Sequence, residues 1–490
     1  MKDHVLLVYD DAAPVPAEVA AMTGVRSFGD LLRRRERLSA TVRRLAAAAE
    51  LDDVLHVRST EQLEQLATAA RLRPDDQLYL LLPSHLAPTA DGGDAALFLR
   101  KLALYGEPVG LWQEERPVPV ALLDRDGLLS YFAAADRDDR NGFTHDHVAR
   151  LPPVQDALGL KDLRDVASAL EYLSGSFAAR HFNQVEEDSY HVVKRSPDRD
   201  KIRREYRFYG FLPESLQPYF LQPYDFQDHG DSASYRTRRL FVPDLAVQWV
   251  HGVFTPGQFS QLLTRLLHFV AARPLREVGR ERAEREAFDA YIGKTRRRVD
   301  ELLAMEAGRA VDALLSGGGV DGGVRQLLAR YEHLYEEIAP RQRLRALSVS
   351  HGDLGFSNIL YSPGSQDFQL IDPRGADSEE EIYSDALYDV AKLSHSILGG
   401  YDFLVAGLFD LAHEDDLRLR LRVDDASAAP LRPLFEQALA AEGHDLRQVR
   451  LREAALFLSM LPLHIDVPRR VAAFALVADD IIGRLEEGRA

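Results

Sequence analysis

Residues 351–375 read HGDLGFSNILYSPGSQDFQLIDPRG and gather a histidine, two aspartates and an asparagine into one short stretch. Asp353 and Asn358 stand before a candidate strand, NILYS, and Asp372 ends a second, FQLID, with the turn residues PGSQD between them. A hairpin of that kind brings its two acidic ends and the amide near one point. A carboxylate that orients a hydroxyl, beside an amide and a second carboxylate able to hold magnesium against phosphates, is the equipment of phosphoryl transfer. The alternative for an isolated HGD is a turn whose Asp and Asn side chains make local backbone contacts.

The run from Asp353 to Asn358 has the Asp-x-x-x-x-Asn spacing of a kinase catalytic loop, with His351 two places ahead. Asp372 takes the place of the metal-binding aspartate, here within Ile-Asp-Pro-Arg. Such a site needs a strand lysine for the nucleotide phosphates and a helical glutamate to hold it. Lysine is scarce in this arginine-rich chain, and Lys194 ends the apolar run YHVVK with Glu205 following in IRREYRF. A compact ammonium in that strand fits the need, and a strand-end lysine reaching solvent is the structural alternative. Ser174, Gly175 and Ser176 are the candidate lid, since small residues let backbone amides approach phosphate oxygens; an ordinary hairpin turn reads the same. The connector FVPDLA is a candidate backbone edge for the adenine.

Three further groups lie near the motif. Asp389 and Lys392 share a helix face three residues apart and suit a link that supports the catalytic loop. Of His395 and Asp402, the histidine reads by itself as an ordinary core or surface residue. Arg374 suits an anionic group on the acceptor or its phosphate, or an ion pair with Glu379 or Glu380.

The elements that must carry these residues fall into two textures. Residues 1–150 alternate as HVLLVYD, an Arg-rich helical run FGDLLRRRERLSATVRRLAAAA, DVLHV, EQLEQLATAARL and QLYLLLP, with PVPVALLD as a further strand. That βαβαβ order implies a parallel sheet with covering helices. The turn after the first strand, DDAAPVPAEVA, has no glycine and so no Gly-rich phosphate cradle. From about residue 161, LEYLSGSFAARHFNQVEEDSYHVVKRS offers strands, DRDKIRREYRFYGFLPE a helix, and FVPDLAVQWV a strand or short connector. Residues 257–345 are mostly helical, broken at SGGGVDGG, and helices return after the hairpin.

The chain has 490 residues, more than one core accommodates, so two or three domains are expected. Its apolar content of 46% and charged content of 28% are those of an ordinary globular protein. The formal charge of −17 argues against broad nucleic-acid binding and against an anionic membrane surface. There are no cysteines, which removes disulfides, thiolate metal sites and a cysteine nucleophile. The short apolar run at the start reads as a strand, no stretch approaches membrane-spanning length, and the cytoplasm is the expected location.

His351-Gly352-Asp353, Asn358, Asp372, Lys194 and Glu205 together resemble the aminoglycoside phosphotransferase and choline kinase-like family. YDVAKLSHSILGGYDF and IDPRG are similar to phosphotransferase-domain proteins found with capsule and surface-polysaccharide genes. The resemblance covers about residues 161–480. It implies an α/β plus α+β chain: an α/β domain over 1–155, like a reduced nucleotidyltransferase (Rossmann-like), then a bilobal kinase-like domain. The latter has an N-lobe over 161–246 and a C-lobe with a helical insertion over 247–490. It also implies ATP as phosphate donor, Mg2+ as cofactor, Asp353 as catalytic base, Asn358 and Asp372 as metal ligands, and a place for His395 and Asp402 near the acceptor pocket. The expected acceptor is a hydroxyl of a sugar or sugar derivative, with a quaternary amine such as choline also open. A catalytically silent nucleotide-binding scaffold, and nucleotidyl transfer by residues 1–150, are the competing readings. Protein partners are not indicated.

Overall fold

The first strand, Val5–Asp10, is apolar and wholly buried because it is central in a sheet. Strands Val54–Val57 and Leu78–Pro83 flank it, both parallel. In this computed structural model the described residues are 5–33, 36–51, 53–74, 76–90, 92–136, 140–173, 184–187, 190–339, 346–413 and 418–489. The chain divides into two units, residues 1–176 and 177–490.

In the first unit the βαβαβ order holds, but the six-stranded sheet is mixed rather than parallel. Arg116–Leu123 runs antiparallel to Leu78–Pro83, and Val109–Gln113 folds back on it. Only Glu114 and Glu115 join those two strands, far too few residues for a parallel crossover. The Arg-rich run is not one helix either. It forms a 3-10 turn at Phe28–Asp30, a two-residue hairpin (Leu32–Arg33 with Glu36–Arg37) and the helix Leu38–Ala48. Glu36 supplies the reason, because it accepts from Thr41 Oγ1 at 2.8 Å and pairs with Arg44 at 3.0 Å.

Where a ligand would sit, at the carboxyl ends of the parallel strands, the chain places its own polar groups. Asp11 accepts from the Gly29 N–H at 3.0 Å and from Ser27 Oγ at 2.5 Å, and pairs with His56 at 2.9 Å. Burial works against its charge, yet the bonds from His56 and Ser27 hold its pKa below the usual carboxylate value. Residues 170–173, expected as strand, belong to the helix Val166–Leu173 of this unit. Its buried Ala169, Tyr172 and Leu173 fall at helical spacing.

The second unit begins with a four-stranded antiparallel sheet in the order Gln184–Glu187, His191–Ser196, Ala233–Arg238, Pro223–Asp228. Helix Arg199–Phe211 starts where Asp198 accepts from the Lys201 N–H at 3.1 Å. It packs Ile202 and Tyr206 on Ala233, Tyr235 and Phe226. FVPDLAVQWV supplies a six-residue helix, Leu245–Val250, and not a strand, since Asp244 caps it by accepting from the Val247 N–H at 2.8 Å. Helices then dominate from Pro256 to Ile338, broken around Gly318–Gly322. The hairpin forms as read, Ile359–Ser362 pairing antiparallel with Asp367–Leu370. Helices Leu387–Ile397, Leu446–Met460 and Pro468–Glu486 pack into one core, in which the ring centroids of Phe457 and Phe474 lie 5.6 Å apart. A second hairpin, Phe409–His413 with Leu419–Val423, went unread in the sequence. No helix of the described residues is long and apolar enough to cross a membrane.

Candidate functional site

Lys194 alternates inward on its strand and is buried. Its Nζ lies 2.7 Å from Glu205 Oε2 on the adjacent helix and 2.9 Å from Asp372 Oδ1 beyond the hairpin. The three residues, far apart in sequence, thus meet at one point. Burial opposes the charge on Lys194, but Asp372 and Glu205 outweigh it and hold its pKa above that of an ordinary lysine. Tyr235 donates to Glu205 Oε2 at 3.1 Å and fixes the carboxylate from the sheet side.

Two glycines let the backbone make this approach. Gly375 has φ +82°, and a Cβ there would lie 2.7 Å from the backbone of Arg204 and Glu205. The chain after Asp372 therefore lies directly on the helix that carries Glu205, and the Ala376 N–H donates to the Arg204 carbonyl at 3.0 Å. Gly352 has φ +76°, and a Cβ there would press on Arg374 Cβ at 2.7 Å. Asp372 itself is held at φ +56°, a conformation uncommon outside glycine, of the kind that clusters at functional sites.

The HGD loop is fixed from beneath. Asp389, fully buried, accepts from the Ser350 hydroxyl at 2.9 Å, the His351 N–H at 2.9 Å and the Gly352 N–H at 3.0 Å. Its countercharge is Arg273, at 2.5 Å, itself buried at the end of helix Pro256–Ala272. Asp389 does not pair with Lys392, as their spacing suggested. The two side chains diverge, and Lys392 Nζ lies 2.7 Å from Asp353 Oδ1. Burial opposes the charge on Lys392, and Asp353 more than restores it.

His351 ties the two ends of the motif together. Its Nε2 lies 2.8 Å from the Ile371 carbonyl, and the Asp353 N–H donates to its Nδ1 at 3.2 Å. Those partners suit a neutral ring with the proton on Nε2, and burial lowers its pKa despite Asp389 and Asp353 nearby. Asn358 Nδ2 donates to the Asp353 carbonyl at 2.8 Å, which leaves its amide oxygen for another partner. The side chains of Asp353 and Asp372 are 40% and 45% exposed, so a dissolved substrate reaches both.

A hard cation fits this donor set. The Asn358 amide oxygen and the Asp372 carboxylate are oxygen ligands, few in number. Magnesium is commonly held by one or two protein oxygens together with water and phosphate oxygens.

The remaining sequence candidates fall elsewhere. Ser174, Gly175 and Ser176 lie outside the described residues. His395 and Asp402 are buried, with the His395 ring centroid 4.2 Å from those of both Tyr401 and Phe457. As they stand, neither offers an atom to a dissolved acceptor. Burial pushes the Asp402 carboxyl up to about 7. Glu379 and Glu380 bind Arg276 and Arg282, so they are not the partners of Arg374. In FVPDLA, Asp244 serves as a helix cap, which places that segment at a chain turn. Sequence reasoning missed Arg273, Tyr235, Lys294 and Tyr388. For Lys294 a signal existed, since it is one of the scarce lysines, but nothing local ties it to the motif.

No family model and no curated protein matches the chain. Solved structures similar to it include a spectinomycin phosphotransferase in complex with ADP and spectinomycin. That one has 12% identity and a TM-score of 0.40, over 63% of this chain and 91% of that one. Another is a thermostable mutant of an aminoglycoside phosphotransferase in ternary complex with AMP-PNP and hygromycin B. It has 14% identity and a TM-score of 0.39, over 62% and 91% of the two chains. A choline kinase from Cryptosporidium parvum matches with 14% identity and a TM-score of 0.33, over 63% and 88%.

Proposed function

We propose that this chain is an ATP-dependent kinase that phosphorylates a hydroxyl of a small molecule, a sugar or sugar derivative. The observation that carries the reading is the convergence of Lys194 on Glu205 and Asp372, with Asp353 and Asn358 beside Asp372 at the open end of the same hairpin. A structural ion pair needs one carboxylate. A lysine shared between a buried glutamate and a half-exposed aspartate, next to a second exposed aspartate, suits a site that receives phosphates.

In the mechanism, Asp353 orients the acceptor hydroxyl, and its carboxylate takes the proton as the acceptor oxygen bonds to the γ-phosphorus. The bond from that phosphorus to the β–γ bridging oxygen breaks, and its electron pair leaves with ADP. Lys194 steadies the nucleotide phosphates, and Glu205 with Tyr235 keeps the ammonium aimed. Asn358 and Asp372 would hold Mg2+, which when bound neutralises charge on the phosphate oxygens. His351 and Asp389 act through the loop backbone as positioning residues. The carbohydrate acceptor, and a role in surface-polysaccharide metabolism, rest on the motif resemblance alone. The first unit is read as a reduced nucleotidyltransferase-like fold without transfer activity, since side chains fill its strand ends.

The test is ADP release with Mg-ATP over a panel of small hydroxyl compounds, wild type against Asp353→Ala. Acceptor-dependent ADP release lost in the variant is the expected result. Release that survives the change removes Asp353 from its role, and silence with every acceptor despite Mg-ATP binding favours a scaffold.

A further inference from the structure

Beside Asp353 the chain gathers three cations, more positive charge than that one carboxylate matches. Arg374 lies with Cζ 4.6 Å over the ring of Tyr388, and Lys294 Nζ lies 6.0 Å from the centroid of the same ring. Lys392, one helical turn on from Tyr388, is the third cation. Lys392 pairs with Asp353. Asp353 and Asp389 also act on Arg374 through their charge, and Lys294 faces the Tyr388 hydroxyl, so three cations gather around the one acid Asp353. The acids that follow Arg374 are engaged elsewhere: Asp377 and Glu381 with Arg204, and Glu379 and Glu380 with Arg276 and Arg282. Asp389 is matched by Arg273.

The arrangement is built, not incidental. A π-helical turn, Asp289–Gly293, precedes Lys294, and such turns recur at functional sites. Tyr291 within it donates to Asp385 at 2.8 Å, and Asp385 is held in turn by Arg452 at 2.7 Å. Arg374 remains exposed and Lys294 half-buried, so both can be reached by a ligand. Although burial opposes it, the surrounding Arg374, Lys294 and Lys392 bring the Tyr388 hydroxyl down to about 8. All this stands in a chain of net charge −17.

We propose that the acceptor carries a negatively charged group, a carboxylate or a phosphate ester, gripped by Arg374 and Lys294 while its hydroxyl meets Asp353. The inference rests on the kinase reading above and narrows it to anionic acceptors. The other anion that could answer to the same cations is the γ-phosphoryl group in transit. Lys194 and the oxygen ligands of Asn358 and Asp372 already serve the nucleotide, which favours the acceptor.

The test uses the full chain, Mg-ATP and matched acceptors: a hexose, its hexuronate, its 1-phosphate and its amino sugar. Turnover should favour the two anionic members by about tenfold or more, one charged hydrogen bond's worth. Arg374→Gln with Lys294→Gln should lower kcat/KM for them on the order of 10–100-fold, chiefly through KM. Preference for the neutral or amino sugar would overturn the proposal. So would an equal loss of kcat with every acceptor and with water, which would assign the cations to the γ-phosphoryl group. If no member turns over, binding of the 1-phosphate to the AMP-PNP-loaded protein decides: binding lost in the double variant supports the proposal, and no binding by wild type overturns it. Asp353-dependent ATP hydrolysis, measured alongside, separates the cases. If it is present, failure falls on the charge inference alone. If it is absent, the kinase reading fails too.

Discussion

In the proposed mechanism Asp353 carries two duties that pull against each other: it holds Lys392 at 2.7 Å and would also accept a proton. The conflict is mild in a phosphoryl transfer with a loose transition state, where aiming the hydroxyl matters more than strong basicity. Asp353→Ala is expected to lower kcat by about 10²–10⁴-fold, the range of a positioned acid–base group, with the Kd for Mg-ATP within a few-fold of wild type. Calorimetry beside turnover checks this, and a large loss of nucleotide affinity would contradict it. At Lys194 the expectation inverts. Lys194→Met leaves Glu205 buried without its countercharge, so kcat/KM for ATP should fall and the protein should lose stability, of order 3–5 kcal/mol. Denaturant melts of Lys194→Met and of Lys194→Met with Glu205→Gln measure it, with the second change expected to restore part of the loss.

At the scale of elements, helix Leu387–Ile397 is the beam under the loop: every residue in it is buried, and Asp389 near its start receives three donors from residues 350–352. Asp389→Ala leaves Arg273 buried and unpaired, a cost of about 3–5 kcal/mol. A double-mutant cycle with Arg273→Met should show coupling, and additive losses would contradict the pairing. The Asp198 cap and the inward direction of Lys194 came only with the structure. The hairpin, the helix of Glu205 and the strand of Lys194 were legible in the sequence because turn residues and helical and apolar runs are local signals. Arg273 was not, since its partner lies 116 residues away. The same limit explains Asp389 and Lys392: their spacing puts them on one helix, while tertiary partners decide where each side chain goes. In the first unit, local runs gave the strands but not the antiparallel turn-back, because strand direction depends on the length of the connection and on the pairing.

For the whole molecule, the core holds two acids that titrate near neutrality. Burial pushes Asp244 and Asp402 up to about 7, with the charge of Asp402 adding to the rise at Asp244, and Asp402 Oδ2 is buried without a hydrogen-bond partner. Unfolded, each has a pKa of about 3.9. A carboxyl raised in the fold stabilises fully below its unfolded pKa, and that stability is lost as pH rises from about 4 through about 7. Asp402→Asn removes one such titration, so its Tm relative to wild type should rise across that interval; a constant difference would contradict the assignment. The sheet of the second unit and its helical part matter to function through one joint, Lys194 to Asp372, where a cation and phosphates would lie. The most direct measurement is Mn2+ binding followed by electron paramagnetic resonance, with and without AMP-PNP, in wild type and in Asn358→Ala and Asp372→Ala. The expected result is nucleotide-dependent binding of the ion in wild type that is weakened in both variants. Binding indifferent to the nucleotide, or unmoved by either substitution, would contradict the phosphoryl-transfer centre.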